Sequence, residues 1–145
     1  MRRLFLALLS IVVLAPAPAS DAAPPAATPP TAASRQVVAY YFHGDVRCSS
    51  CRKIEAWSAQ AIDRAFEDEL QAGRLAWRPT NIDRAENEHF VRDYELVTRS
   101  LVLVEFESGR QVRWKNLGQV WELLGDEVRF SQYVQREVRA FLDGR

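Results

Sequence analysis

The chain has 145 residues, 48% of them hydrophobic, with 19 basic and 19 acidic side chains and a formal net charge of zero. Balanced charge without a basic block leaves no electrostatic footprint for nucleic acid and no polybasic face for an anionic membrane surface. Two cysteines are too few to staple a small secreted scaffold, so the fold must rest on packing.

Arg2 and Arg3 precede an apolar stretch from Leu4 to Leu14, followed by small residues and Pro16 and Pro18. This is the pattern of a secretory signal peptide. A membrane-crossing helix needs about 20 apolar residues, and the prolines interrupt this run well before that. Small-x-small triplets place cleavage after Ala19 or after Ala22, giving a leader within residues 1–22 and no cysteine nearby to carry a lipid. Residues 23–34 are Ala, Pro and Thr with little else, a composition that predicts an extended, disordered linker. Residues 35–145 remain as one small domain. The expected location is therefore periplasmic or otherwise exported, soluble once the leader is removed.

Val37 to Phe42 is apolar, rich in β-branched and aromatic residues and does not alternate, which predicts a central strand buried on both faces. Beyond Cys51, Ile54, Trp57, Ala61, Ile62, Ala65, Phe66 and Leu70 recur at spacings of three and four, opposite Lys53, Asp63, Arg64, Glu67 and Asp68. That is one amphipathic helix, with Gly73 placed to end it. Leu75 to Ile82 reads as a strand interrupted by Pro79, and Ala85 to Glu95 as a second helix. Leu101 to Val104 is a third strand, Ser108-Gly109 a turn and Gln111 to Trp114 its antiparallel partner. Gln119 to Leu142 reads as helical with a break at Gly125-Asp126. The predicted order is βαβ followed by ββα, an α/β class in which a small mixed sheet carries helices on both faces, as in thioredoxin-like folds. Trp57, Trp77, Trp114 and Trp121 each fall in or beside a predicted element, so packing explains them better than a ligand-stacking surface.

The chemistry concentrates where the first strand ends and the first helix begins, at Cys48-Ser49-Ser50-Cys51. Unpaired backbone N–H groups and the dipole at a helix N-terminus stabilise a thiolate, so Cys48 is the candidate nucleophile with a pKa below that of a free thiol. Cys51, one turn deeper, is the candidate resolving thiol that would attack a mixed disulfide on Cys48. Arg47, Arg52 and Lys53 flank the pair and favour ionisation. A purely structural bridge is a poorer explanation, because closing so short a loop constrains the unfolded chain little. His43, five residues before Cys48, reads equally as a proton shuttle, a third metal ligand or a packed residue. A second functional class is a soft-ion site for Cu(I) or As(III), built from Cys48, Cys51 and His43. No G-x-G-x-x-G signature for flavin or nicotinamide is present, so no cofactor is expected beyond the Cys48–Cys51 disulfide.

Tyr41-Phe42-His43-Gly44 with Arg47-Cys48-Ser49-Ser50-Cys51, then Ile54-Glu55, Asn81-x-Asp83, Tyr94-x-Leu96 and Trp114-Lys115-Asn116-Leu117 with Trp121, resembles the bacterial nitrophenyl compound nitroreductase subunit family, itself thioredoxin-like. The resemblance spans nearly all of the domain, and its specific part is the segment from Tyr41 to Cys51. It implies an exported dithiol protein that works with a membrane dithiol or electron-transfer protein and with a redox client or reductase. In that setting it would supply electrons, through the partner, for reduction of nitroaromatic groups on organoarsenicals. Relative to ordinary thioredoxins, Ser-Ser replaces Gly-Pro between the cysteines, and Tyr41 takes the place of the usual buried acid. No proline precedes the third strand, so a trans bond is expected there, with Arg99 or Ser100 lining the site.

Overall fold

The computed structural model describes residues 35–145; the expected leader and linker lie outside the described residues. In chain order the elements are β1 (Arg35–His43), α1 (Ser49–Ala65), α2 (Glu67–Gln71), β2 (Leu75–Asn81), α3 (His89–Asp93), β3 (Ser100–Glu107), β4 (Arg110–Asn116) and α4 (Glu127–Leu142). Short 3₁₀ turns occupy Ala85–Asn87 and Gly118–Val120. The four strands lie in the order β2-β1-β3-β4, with β1 parallel to β2 and antiparallel to β3, and β4 antiparallel to β3. This is the expected βαβ-ββα arrangement, a mixed sheet of thioredoxin-like topology.

The central position of β1 explains its continuous apolar sequence. Val37, Ala39 and Tyr41 face a core completed by Ile54, Ala61 and Ile62 of α1 and by Phe130, Val134 and Val138 of α4. Val38, Tyr40 and Phe42 face the other layer, where Tyr94 and Leu96 cover them, with Phe90 of α3 packed alongside. Each large side chain buried in this way stabilises the fold by about 1.5–3 kcal/mol. The Ser108-Gly109 turn forms as expected: both residues have positive φ, 51° and 77°, which suits a tight two-residue hairpin of the primed type.

Four boundaries differ from expectation. Pro79 does not interrupt β2. Ile82 N–H donates to His43 O at 2.8 Å, which sets the even-numbered residues of β2 toward β1 and leaves the missing donor of Pro79 on the open edge. The first helix is two helices, because Phe66 leaves helical geometry (φ −138°, ψ 31°) while its ring stays buried. The second predicted helix is a 3₁₀ turn followed by the short α3. The tail is helical only from Glu127, where the Asp126 side chain caps α4 by accepting from Arg129 N–H at 3.0 Å. Before that cap, Leu117 and Val120 are buried in a turn rather than a helix.

Candidate functional site

Parallel pairing of β1 with β2 brings the C-terminal ends of both strands to one edge of the molecule, and antiparallel pairing brings the start of β3 there as well. The register puts Phe42 opposite Ser100 and His43 opposite Asn81. Loops 44–48, 82–84 and 97–99 therefore emerge together, and α1 starts from the first of them.

Cys48 is the N-cap of α1, with extended backbone (φ −71°, ψ 166°), and its sulfur accepts the Cys51 N–H at 3.0 Å. A sulfur thus occupies the position usually taken by a serine or aspartate oxygen, where it meets the unpaired donors of the first turn. No acidic residue lies in that turn to offset the positive helix end. Cys48 and Cys51 are joined as a disulfide with their Cα atoms 5.0 Å apart. Cys48 is exposed, whereas Cys51 is only 5% exposed. The two sulfurs differ in exposure, and it is Cys48 Sγ that accepts the first-turn N–H.

Beneath the pair lies Tyr41, fully buried, whose hydroxyl donates to Cys51 O at 2.7 Å. Its ring stacks against His43 and Trp77, with centroids 6.1 and 6.5 Å away. Burial pushes the phenol pKa up, while the nearby guanidinium groups of Arg47 and Arg99 oppose that rise. Tyr41 therefore stays protonated at neutral pH and acts as a donor, a role that a buried carboxylate could not fill in the same way.

The other expected site residues divide sharply. Arg47 forms an ion pair with Glu55, one face of α1 away, and its backbone carbonyl accepts from Arg52 Nη1 at 2.8 Å. Arg99 is partly buried, and its backbone carbonyl is held by Trp121 Nε1 at 3.0 Å. Its guanidinium lies against Gly44 so closely that a Cβ on that glycine would collide with it. Ser100 is buried at the start of β3, where its hydroxyl donates to Thr98 O at 2.9 Å and accepts from Asn116 Nδ2 at 3.3 Å. The described peptide bonds are all trans, including those of this loop. His43 turns Nδ1 toward Gly44 O, 3.1 Å away, and packs on Tyr41. Among the described residues no group of three or more His, Cys, Asp or Glu side chains is arranged to hold a metal ion.

Three residues named in the sequence motifs without a role shape this edge: Glu55, Asp83 and Gly44. Asp83 accepts the Asp45 N–H at 2.8 Å, and Asn81 supports the same loop through Asp45 at 2.6 Å and through the Asp83 N–H at 3.0 Å. The Asn81-x-Asp83 spacing was visible as a motif, but its purpose depends on the loop it meets from β1. Trp121 was expected to pack, and it does so while also anchoring the Arg99 loop.

No family model matches the chain, and no curated protein matches it. Among solved structures, it is similar to Trxlp from Edwardsiella tarda, with TM-score 0.39 and 16% identity over 68% of this chain and 82% of that one. It is also similar to a thioredoxin from Fasciola hepatica, with TM-score 0.37 and 18% identity over 70% and 80% of the two chains. A mutant thioredoxin from Halobacterium salinarum gives TM-score 0.33 and 23% identity over 70% and 74%.

Proposed function

We infer that the chain is a thiol-disulfide oxidoreductase, or dithiol electron carrier, that cycles between the Cys48–Cys51 disulfide and the dithiol. One observation carries this reading: an exposed sulfur at a helix N-cap is bonded to a buried one a single turn deeper. An incoming thiolate reaches Cys48 Sγ and forms a mixed disulfide there. The electron pair of the broken Sγ–Sγ bond passes to Cys51, which takes a proton from solvent. A second thiolate from the reductant then attacks the mixed disulfide and releases Cys48 as a thiolate stabilised by the first-turn N–H groups. In the reverse direction Cys48 attacks a client disulfide and Cys51 resolves it. No bound cofactor is needed for either direction.

The finer reading is that the protein is exported and takes electrons from a membrane dithiol or electron-transfer protein. It passes them to a reductase that acts on nitroaromatic compounds, with the nitro chemistry belonging to that partner. The leader pattern at Arg2 to Ala22 and the motif resemblance from Tyr41 to Cys51 support it. The test is to equilibrate the purified protein with glutathione or dithiothreitol buffers and to count free thiols. A reversible two-electron transition is expected. A potential near thioredoxin's, about −270 mV, fits delivery of electrons, and one near about −120 mV fits donation of disulfides. Absence of any reversible transition contradicts the dithiol reading.

A further inference from the structure

The loop that delivers Cys48 is not held by the sheet ladder. At the end of β1, His43 O accepts Ile82 N–H at 2.8 Å, and beyond it no backbone group of residues 44–47 pairs with another backbone group among the described residues. Side chains hold the loop instead. From α1, Arg52 Nη1 reaches the Arg47 carbonyl at 2.8 Å and Glu55 pairs with the Arg47 guanidinium. From the end of β2, the Asp83 carboxylate accepts Asp45 N–H at 2.8 Å, and Asn81 Nδ2 donates to the Asp45 carboxylate at 2.6 Å. Those two side chains are themselves fixed, since Asp83 N–H donates to Asn81 Oδ1 at 3.0 Å and Asn87 Nδ2 donates to Asn81 O at 2.9 Å. Gly44 leaves the space they need, because a Cβ there would collide with the Asp83 carboxylate and the Arg99 guanidinium.

These links matter differently in the two redox states. In the disulfide, the Sγ–Sγ bond ties Cys48 to α1 whatever the loop does. In the dithiol that tie is gone. Cys48 Sγ then stays at the first-turn N–H groups only as far as the preceding loop is held against the backbone entropy it would otherwise recover.

We propose that Asp83, with Asn81 behind it, is a positioning residue for Cys48. Its carboxylate fixes the turn at Asp45 and so keeps the Cys48 sulfur at the N-cap of α1 in the reduced protein, where the thiolate is stabilised for attack. This rests on the dithiol reading above and deepens it by naming what holds the sulfur once the disulfide is open. Asp83 takes up no proton and no electron. As Cys48 Sγ bonds to one sulfur of a client disulfide, the other leaves as a thiolate with the electron pair of the broken bond.

The test follows Cys48 as the single free thiol of the Cys51→Ser protein, reading its reaction with a small neutral disulfide across a pH series. Adding Asp83→Ala is expected to raise the midpoint by about one unit, the scale of a displaced hydrogen bond to a charged group. Below both midpoints the rate should then fall about threefold, because about tenfold less thiolate is partly offset by the greater nucleophilicity of a more basic sulfur. A carboxylate acting only through its charge would move the midpoint the other way: His43, Asp45, Arg47, Glu55, Arg84 and Arg99 stay in place while one negative charge is lost. Asp83→Asn keeps an oxygen to accept Asp45 N–H, and its midpoint should lie at or below that of the parent. Asn81→Ala, which frees the Asp45 carboxylate, should raise it less than Asp83→Ala does. A midpoint that stays or falls in Asp83→Ala overturns the proposal, as does an equal rise in Asp83→Asn. Hydrogen exchange in the reduced wild type needs no variant to fold. Relative to their intrinsic rates, the Asp45 amide is expected to exchange more slowly than that of Val46, which has no partner among the described residues. Equal protection overturns the clamp. A midpoint of about 8.5 in the Cys51→Ser parent removes the activated Cys48 itself, so that the attacking thiolate of the dithiol reading fails and the proposal with it.

Discussion

The two ends of the sheet treat charge in opposite ways. At the end remote from the cysteines, Glu105 is buried between Arg35 and Arg113, each bonded to one of its carboxylate oxygens. Arg35 also donates to Leu142 O at 2.9 Å and Phe141 O at 2.6 Å, and Arg113 donates to Arg145 O at 2.6 Å while its guanidinium lies over the Phe141 ring. Those bonds tie the last turn of α4 to β1, β3 and β4. At the cysteine end the side chains of Arg99 and Asp83 share the space beside Gly44 without a hydrogen bond between them among the described residues, Cys48 is exposed and two valines face solvent. Saturated hydrogen bonding serves stability at one end, and unsatisfied groups are kept available at the other. Natural folds concentrate such local departures from the rules of stability where they bind or react.

Glu105→Ala should cost the most, about 3 kcal/mol by urea denaturation, because it leaves two guanidinium groups facing each other with no carboxylate between them. A loss below about 0.5 kcal/mol would show that the clamp is merely a surface feature. The same carboxylate sets an acid limit. Hydrogen bonding to Arg35, with help from Arg113, holds its pKa below the ordinary glutamate value. Its contribution is therefore full above the ordinary value and is lost as pH falls through the lowered folded one. The stability gap between the wild type and Glu105→Gln should narrow across that window and stay constant above it, as read by denaturation at stepped pH.

Tyr41→Phe removes one buried hydrogen bond and leaves Cys51 O without that donor. A loss of about 1–2 kcal/mol is expected. The change should also shift the reduction potential, because it loosens the turn that carries both sulfurs. An unaltered potential would assign Tyr41 to the core alone. Smallest is Asp126→Ala, expected to cost about 1 kcal/mol by urea denaturation through loss of the α4 cap. A loss below about 0.3 kcal/mol would show that the side-chain cap is replaced by solvent.

The sheet was legible because burial on both faces writes itself into a run such as Val37 to Phe42 or Leu101 to Val104, whereas helix ends were not. The apolar spacing through Ile62, Phe66 and Leu70 continues across the break at Phe66, so nothing local marks it. Val120, Leu123 and Leu124 repeat at helical intervals in a segment that is mostly turns, held instead by packing of Leu117 and Val120 and by the Trp121 bond to Arg99. At the candidate site the cysteine pair was legible from its place between strand and helix. The approach of Arg99 to Gly44 depends on register across β1 and β3, which no local spacing encodes, and the pairing of Arg47 with Glu55 depends on how the chain turns into α1 at Cys48.

The most direct measurement compares Cys48→Ser with Cys51→Ser, each reacted as the single free thiol with a chromogenic aromatic disulfide across a pH series, with the adduct located by mass spectrometry. Rapid modification of Cys48 is expected in the Cys51→Ser protein, with a midpoint below the free-thiol value of about 8.5. Slow modification of the buried Cys51 is expected in the Cys48→Ser protein. Equal rates, or faster reaction at Cys51, would contradict the assignment of the exposed N-cap sulfur as the attacking one.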